Sequence, residues 1–511
     1  MRSRESGYKI LYGTVLSFLR KQESRETEAK SGFPLIAPGD SPRRKNCGND
    51  RNRRNAFLFI IFFLMLFVAQ RAHAVEYGLE DLYRIALERS ERIKISEEDL
   101  FIAETGKDKA RSVLLPKLSA FWNYTRYTED KFSSAGSVIQ PEDAEYWGVR
   151  LDQSVSLSGR EATAFNISKE NIEKSRYDLH AVKEEYLLSV SSAYYDVLRA
   201  KKAFEITSSN VERLTKYRDA AAIRLKVGEV TKTTLLRAEA ELSGAQSEEI
   251  KARNGLQVAK AVLARIAGID GSYDVKETAD SSQYAADGKP DQAIETLKQA
   301  AFSERVELKS LELQKKIGED QVRYTQGSYW PTLSVEGVYS KKNEDPKSAA
   351  YNRESVYGGV KLNFAFFEGG LRRAEVREAE SKQRQVMLVY EDRKKSIGIE
   401  VENAYLDLIT QKAITEKFEA QAVYAEDNYK AVSKQFEYGI ANSLDVMDAN
   451  TLLVTAQRQL ADAKYNYQLS ILRLKRATGM LLKSVISSLS SASRQWRQTS
   501  VVSQNKEGNI R

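Results

Sequence analysis

The sequence predicts a mixed α and β membrane protein: long antiparallel α-helical coiled coils joined to β-hairpins, with the whole pattern written twice along the chain. Three observations lead there. Segments recur at a fixed offset, two 68-residue stretches contain no proline, and each half holds a pair of alternating runs of about ten residues bounded by aromatic side chains.

The recurrence is the strongest signal. "AYYDVLRAKKAF" from Ala193 matches "AYLDLITQKAIT" from Ala404, "LKVGEVTKTTLLRAEAEL" around Gly228 matches "FEYGIANSLDVMDANTLL" around Gly439, and "LARIAG" ending at Gly268 matches "LKRATG" ending at Gly479. All three pairs are offset by 211 residues, whereas "LLPKLSAF" at Pro116 and "YWPTLSVE" at Pro331 are offset by 215, so the intervening loops differ in length. Such internal similarity marks one structural unit used twice.

In chain order, residues 1–50 form a polar extension holding three of the eight prolines and the only cysteine, Cys47. "RNRRNAFLFIIFFLMLFVAQRAHA" then runs from a basic cluster through the apolar stretch Ala56–Ala69 to small residues at Ala72 and Ala74. That layout reads as an export signal over 51–74, cleaved after Ala74, and as too short to be a membrane anchor, which needs about 20 apolar residues. A signal does not normally lie behind fifty residues, so the initiator is expected nearer Arg51. Residues 1–74 also carry 14 Lys+Arg against 6 Asp+Glu, which leaves 65 of each for the remainder. The net charge of +8 therefore belongs to the extension, and a nucleic-acid-binding face is rejected for the body.

The first unit spans 75–289 and the second 290–482; each reads as a helix (Leu79 to Ser112; Ala293 to Thr325), a proline, two strands, a very long helix, a glycine and another helix. Arg160–Val227 has neither proline nor glycine, and Leu371–Tyr438 has only Gly398. Helices of that length would extend about 100 Å. After Gly439, Leu453, Ala456, Leu460, Ala463, Tyr467, Ser470 and Leu474 give the 3-4 spacing of coiled-coil packing, with small residues permitting close approach. In the strand runs, Val149, Leu151, Val155 and Leu157 alternate with Arg150, Asp152, Ser154 and Ser156. One face is oily and the other polar, and Trp122, Tyr124, Tyr146, Trp147, Trp330, Tyr339 and Tyr357 could supply an interfacial girdle. A soluble sheet packed on helices is the competing reading. Four strands cannot close a barrel and open edges are not tolerated in lipid, so a membrane sheet requires several chains to pool strands, two chains giving eight and three giving twelve. The tail over 483–511, with "SSLSSASRQW", reads as disordered.

The chemistry available is sparse. Without a cysteine in the mature chain and with His180 as its only histidine, metal and triad sites have almost no raw material. GxxxxGK, GxGxxG and GxSxG are absent. No cofactor, no metal and no catalysis are expected, and the many carboxylates are read as solvated helix faces.

The segments "LLPKLSA", "YWPTLSV", "FFEGG" at Phe366, "AYLDL" and, above all, "FEYGIANSLDVMDANTLLVTAQRQLADAKYNYQLSILRLKRATG" resemble the TolC family of outer membrane efflux proteins, over roughly Tyr77 to Leu482. The resemblance implies a homotrimer with a shared twelve-stranded transmembrane β-barrel, continued by an α-helical tunnel across the periplasm. It implies passage of small molecules or secreted proteins, with a periplasmic adaptor protein and an inner-membrane transporter as partners and outer-membrane lipid around the barrel. A soluble periplasmic coiled-coil scaffold remains the second reading.

"SLDVMDA" carries the candidate site. On residues alone, Ser443 is a plausible helix N-cap and Asp445 favours the helix dipole, together worth about 0.5 to 1 kcal/mol. By resemblance, Asp445 and Asp448, which share a helix face, match the pair that rings the periplasmic mouth of the family's tunnel, where three copies would gather six carboxylates that favour cations. The family's bracing arginine and tyrosine would fall at Ala441 and Phe436, so its charged links are missing here. Gly228 and Gly439 end their helices and, by resemblance, mark where adaptor hairpins dock.

Overall fold

The computed structural model describes residues 75–277 and 294–490; the expected extension, the export signal, the junction between the two units and residues 491–511 lie outside them. Strand β1 (Val75–Tyr77) leads into helices α1 (Leu79–Arg89) and α2 (Glu91–Val113). There follow β2 (Lys117–Arg126), β3 (Lys131–Phe132), β4 (Val138–Gln140), β5 (Asp143–Ser156), α3 (Arg160–Lys226), α4 (Lys232–Ala267) and β6 (Tyr273–Val275). The remainder is α5 (Ile294–Glu304), α6 (Val306–Gln326), β7 (Thr332–Asp345), β8 (Glu354–Asn363), α7 (Leu371–Glu437), α8 (Ser443–Ala477) and a last helix, α9, over residues 481–490.

Two expectations need correction. The stretch expected as one helix over Leu79–Ser112 breaks at Ser90, and its counterpart breaks at Arg305; both residues leave the helical region, with ψ of 124° and 117°. Each break lies against a glycine that ends another helix. A Cβ on Gly268 would meet the Arg89 side chain at 3.1 Å, and one on Gly479 would meet the Arg305 amide nitrogen at 3.1 Å. The arginines also tie the breaks down: Arg89 Nη1 donates to the Gly268 carbonyl at 3.2 Å, and Arg305 Nη1 to that of Ala477 at 3.1 Å. The tail expected to be disordered from 483 instead begins as α9, because Leu481, Leu482 and Val485 are buried in the main core.

That core sits where the middle of α3 meets α1, the ends of α4 and α8, and α9. Leu82, Tyr83, Leu187, Val190, Leu263, Leu472, Leu481 and Val485 are buried there. Such side chains contribute about 1.5–3 kcal/mol each on leaving water. Tyr83 and Ser191 share a 2.6 Å hydrogen bond inside it, so burial leaves neither hydroxyl unsatisfied. The short parallel pair β1–β6 packs on the same core, with Tyr273 and Val275 buried.

The long helices meet as the sequence spacing requires. α3 and α7 each have 67 residues, about 100 Å of rise. On α8, Leu453, Ala456, Ala463 and Ser470 are buried, while Leu460, Tyr467 and Leu474 are partly so.

β2, β5, β7 and β8 form one antiparallel sheet in that order. The central pair runs in unbroken register from Asp143↔Asp345 to Ser156↔Thr332, joining the two halves of the chain. Within the chain, β2 and β8 are edges. Cross-strand pairs Leu118↔Leu151, Trp122↔Trp147, Leu333↔Leu362 and Val335↔Val360 put one face in apolar company, and Leu118 and Val360 are each 72% exposed. The opposite face carries Arg150, Asp152, Glu336 and Lys361. Phe121 lies across from Gly148, where a Cβ would stand 2.2 Å from the Tyr339 carbonyl oxygen; only glycine lets β5 and the ring pack there. β3 and β4 make a small ribbon in the loop between β2 and β5.

Candidate functional site

The two helix turns share one construction. At the end of α3, Gly228 (φ +80°) donates its N–H to the Leu225 carbonyl and Glu229 donates to that of Arg224; at the end of α7, Gly439 (φ +72°) donates to Phe436 and Ile440 to Gln435. This paired closure needs a left-handed residue just past the helix, which glycine adopts without strain.

The start of α8 is capped differently from the expectation. Asn442, not Ser443, is the N-cap: its Oδ1 accepts from the Leu444 and Asp445 amides at 2.8 and 3.0 Å, and Asp445 Oδ2 accepts from the Asn442 amide at 2.9 Å. The reciprocal pair satisfies orphan donors at the helix start. Ser443 is freed for another task, accepting from the Tyr217 hydroxyl at 2.8 Å. Asp445 and Asp448 are both exposed, on the side of α8 away from buried Val446, Met447, Ala449 and Asn450. Among the described residues no group of three or more His, Cys, Asp or Glu is placed to hold a metal ion.

Behind that carboxylate face, α3 grips the helical hairpin made by α7 and α8. Arg213 Nε donates to Asn450 Oδ1 at 3.2 Å, and Asn450 Nδ2 donates to Asn210 Oδ1 at 2.9 Å. Arg224 donates to the Phe436 and Glu437 carbonyls at 2.9 and 3.0 Å, capping the end of α7, and lies 4.8 Å from the Phe436 ring centroid. A guanidinium on the last carbonyls of a helix complements the helix dipole as well as the open acceptors. Leu214, Leu242, Ala245, Phe436, Val446 and Met447 fill the space beneath, and the Tyr217 and Phe436 rings stand 5.3 Å apart. Phe436 and Ala441 thus serve as packing, Ala441 lying partly buried on the same cluster, while the polar links come from α3. Sequence reasoning missed Asn210, Arg213, Tyr217 and Arg224. Their spacing of 3, 4 and 7 places them on one face of α3 and was the available signal.

With this geometry in hand, comparison with known proteins is direct. The family model described as outer membrane efflux protein matches residues 82–269 and 297–480. The outer membrane protein TolC of Escherichia coli is 24% identical over 427 residues, covering 81% of this chain and 85% of the relative. The alkaline protease secretion protein AprF of Pseudomonas aeruginosa is 22% identical over 436 residues, covering 84% and 89%. Among solved structures, the CmeC outer membrane channel of Campylobacter jejuni superposes with a TM-score of 0.69 at 16% identity, covering 88% of this chain and 94% of that one. Matched along most of its described length, the chain belongs to the outer membrane efflux protein family.

Proposed function

We propose that this protein is the outer-membrane channel of a tripartite efflux pump or type I secretion system, a passive duct whose transport energy comes from its partners. The observation that carries the reading is the four-stranded sheet, apolar on one face and polar on the other, with two open edges on a chain of ~100 Å helices. Lipid does not tolerate open edges, so β8 of one copy pairs with β2 of the next. Three copies, as the family implies, make a closed twelve-stranded barrel and enclose a helical tunnel. The two sequence units supply alternate hairpins and coils around it. A periplasmic adaptor docks by the turns at Gly228 and Gly439, and an inner-membrane transporter completes the route for small molecules or proteins.

At the tunnel mouth, Asp445 and Asp448 of three copies form a ring of six carboxylates. Such a ring favours cations and takes a divalent cation as a plug. Asp445 keeps its capping role in this state, since only one carboxylate oxygen is committed to the Asn442 amide.

Single-channel conductance in planar bilayers tests both levels of the proposal. Wild type should give a cation-preferring channel blocked by millimolar divalent cations, and Asp445→Asn with Asp448→Asn should relieve the block. A channel whose block survives the double substitution removes the gate and keeps the duct. Failure to insert, with release of the protein by osmotic shock, would hand the function to the periplasmic scaffold.

A further inference from the structure

Around the middle of α3, this helix together with α4 and α8 encloses a groove of about 300 Å³. That is the lower end of the range, roughly 300–1,000 Å³, in which small-ligand pockets fall. Its floor is apolar: Ala203 and Ile206 come from α3, Ala252 from α4 and Ala461 from α8. Each helix gives an alanine where a longer side chain would close the space. The contributing positions on each helix include pairs three or four apart, so each helix turns one face to the groove. The second sequence unit does not repeat this construction. At the offset of 211, Thr410 stands for Arg199 and Ile414 for Ala203.

The rim is charged and does not balance. Arg199 of α3 is held by Asp462 of α8 at 3.4 Å and by Asp196 at 3.3 Å, and it donates to Asn466 Oδ1 at 2.7 Å. Lys251 of α4 pairs with Glu248, one turn earlier, at 2.8 Å. Both carboxylates of the rim are thereby engaged. Arg458 of α8 is the remaining cation. It stands 3.9 Å from Glu248, beyond hydrogen-bond reach, and its buried Nε has no acceptor among the described residues. A guanidinium with donors to spare, set beside an apolar floor, complements a carboxylate carried on an apolar body.

We propose that this groove is a binding site for a small organic carboxylate. The carboxylate takes the Arg458 guanidinium, and the apolar body lies on Ala203, Ile206, Ala252 and Ala461. Lys251, on its flexible stem, adds a second positive charge from the α4 side. An occupant touches α4 and α8 at once, and so ties the helical hairpin of α3 and α4 to the one made by α7 and α8.

Equilibrium dialysis of 1-naphthoate against the purified full chain in detergent tests this, with 1-naphthamide as the neutral isostere and protein-free micelles as the blank. The wild type should bind the carboxylate saturably, one molecule per chain, and the amide about tenfold less tightly. Arg458→Gln should lose about tenfold in affinity for the carboxylate. Ala252→Leu fills the floor with a side chain that suits a helix, and should abolish binding. Comparing carboxylate with amide needs no variant, so it decides even where a substitution harms folding. Binding that does not saturate, that treats the two ligands alike, or that survives both substitutions overturns the proposal. The readout is independent of conductance, so failure here leaves the duct untouched.

Discussion

A cap one residue earlier than expected changes what the neighbouring side chains do. Asn442 and Ser443 are both good N-cap residues, and only the reciprocal bond with a carboxylate three positions on selects Asn442, since Asp445 completes that spacing. The distinction was present in "NSLD" but needed the capping-box rule rather than the cap preference alone. Asn442→Ala should therefore weaken the start of α8 by about 1 kcal/mol, and Asn442→Asp should largely preserve it. Hydrogen exchange at the first turn of α8 reads this directly. Ser443→Ala should leave that turn protected, because its hydroxyl serves Tyr217 instead. Those α3 partners were hard to foresee: Tyr217 and Ser443 are 226 positions apart, and Arg224 binds carbonyls that any residue would present.

At the scale of elements, the long helices and the alternating strands were legible because proline placement and periodicity act over dozens of residues. The breaks at Ser90 and Arg305 were not, since neither residue is a helix breaker by type; each is imposed by a glycine-ended helix packed against it. β1 and β6 escaped for a related reason, because three-residue strands carry no period. The contact between α3 and the second hairpin has a mechanical prediction attached. If Tyr217 and Arg224 hold α7 and α8 at the mouth, Tyr217→Phe combined with Arg224→Ala should raise channel open time several-fold in planar bilayers without altering ion preference. Unchanged open time would mean the apolar cluster around Phe436 and Met447 suffices.

For the whole molecule, the decisive feature is the sheet that one chain leaves unfinished. Gly148→Val places a side chain where the Tyr339 carbonyl and the Phe121 ring already stand, so β5 and β7 should fail to pair. If three copies close the barrel as proposed, the variant should lose a heat-sensitive oligomer on gels and all channel conductance, while far-ultraviolet dichroism keeps its helical signal from α3 and α7. The open edges at β2 and β8 also carry a genetic consequence. In a trimer that closes only when every copy offers both edges, a defective chain poisons its neighbours. Equal expression of normal and defective copies would leave only about one-eighth of random trimers wholly normal. Lesions in the sheet should therefore behave as dominant, and losses of the entire chain as recessive.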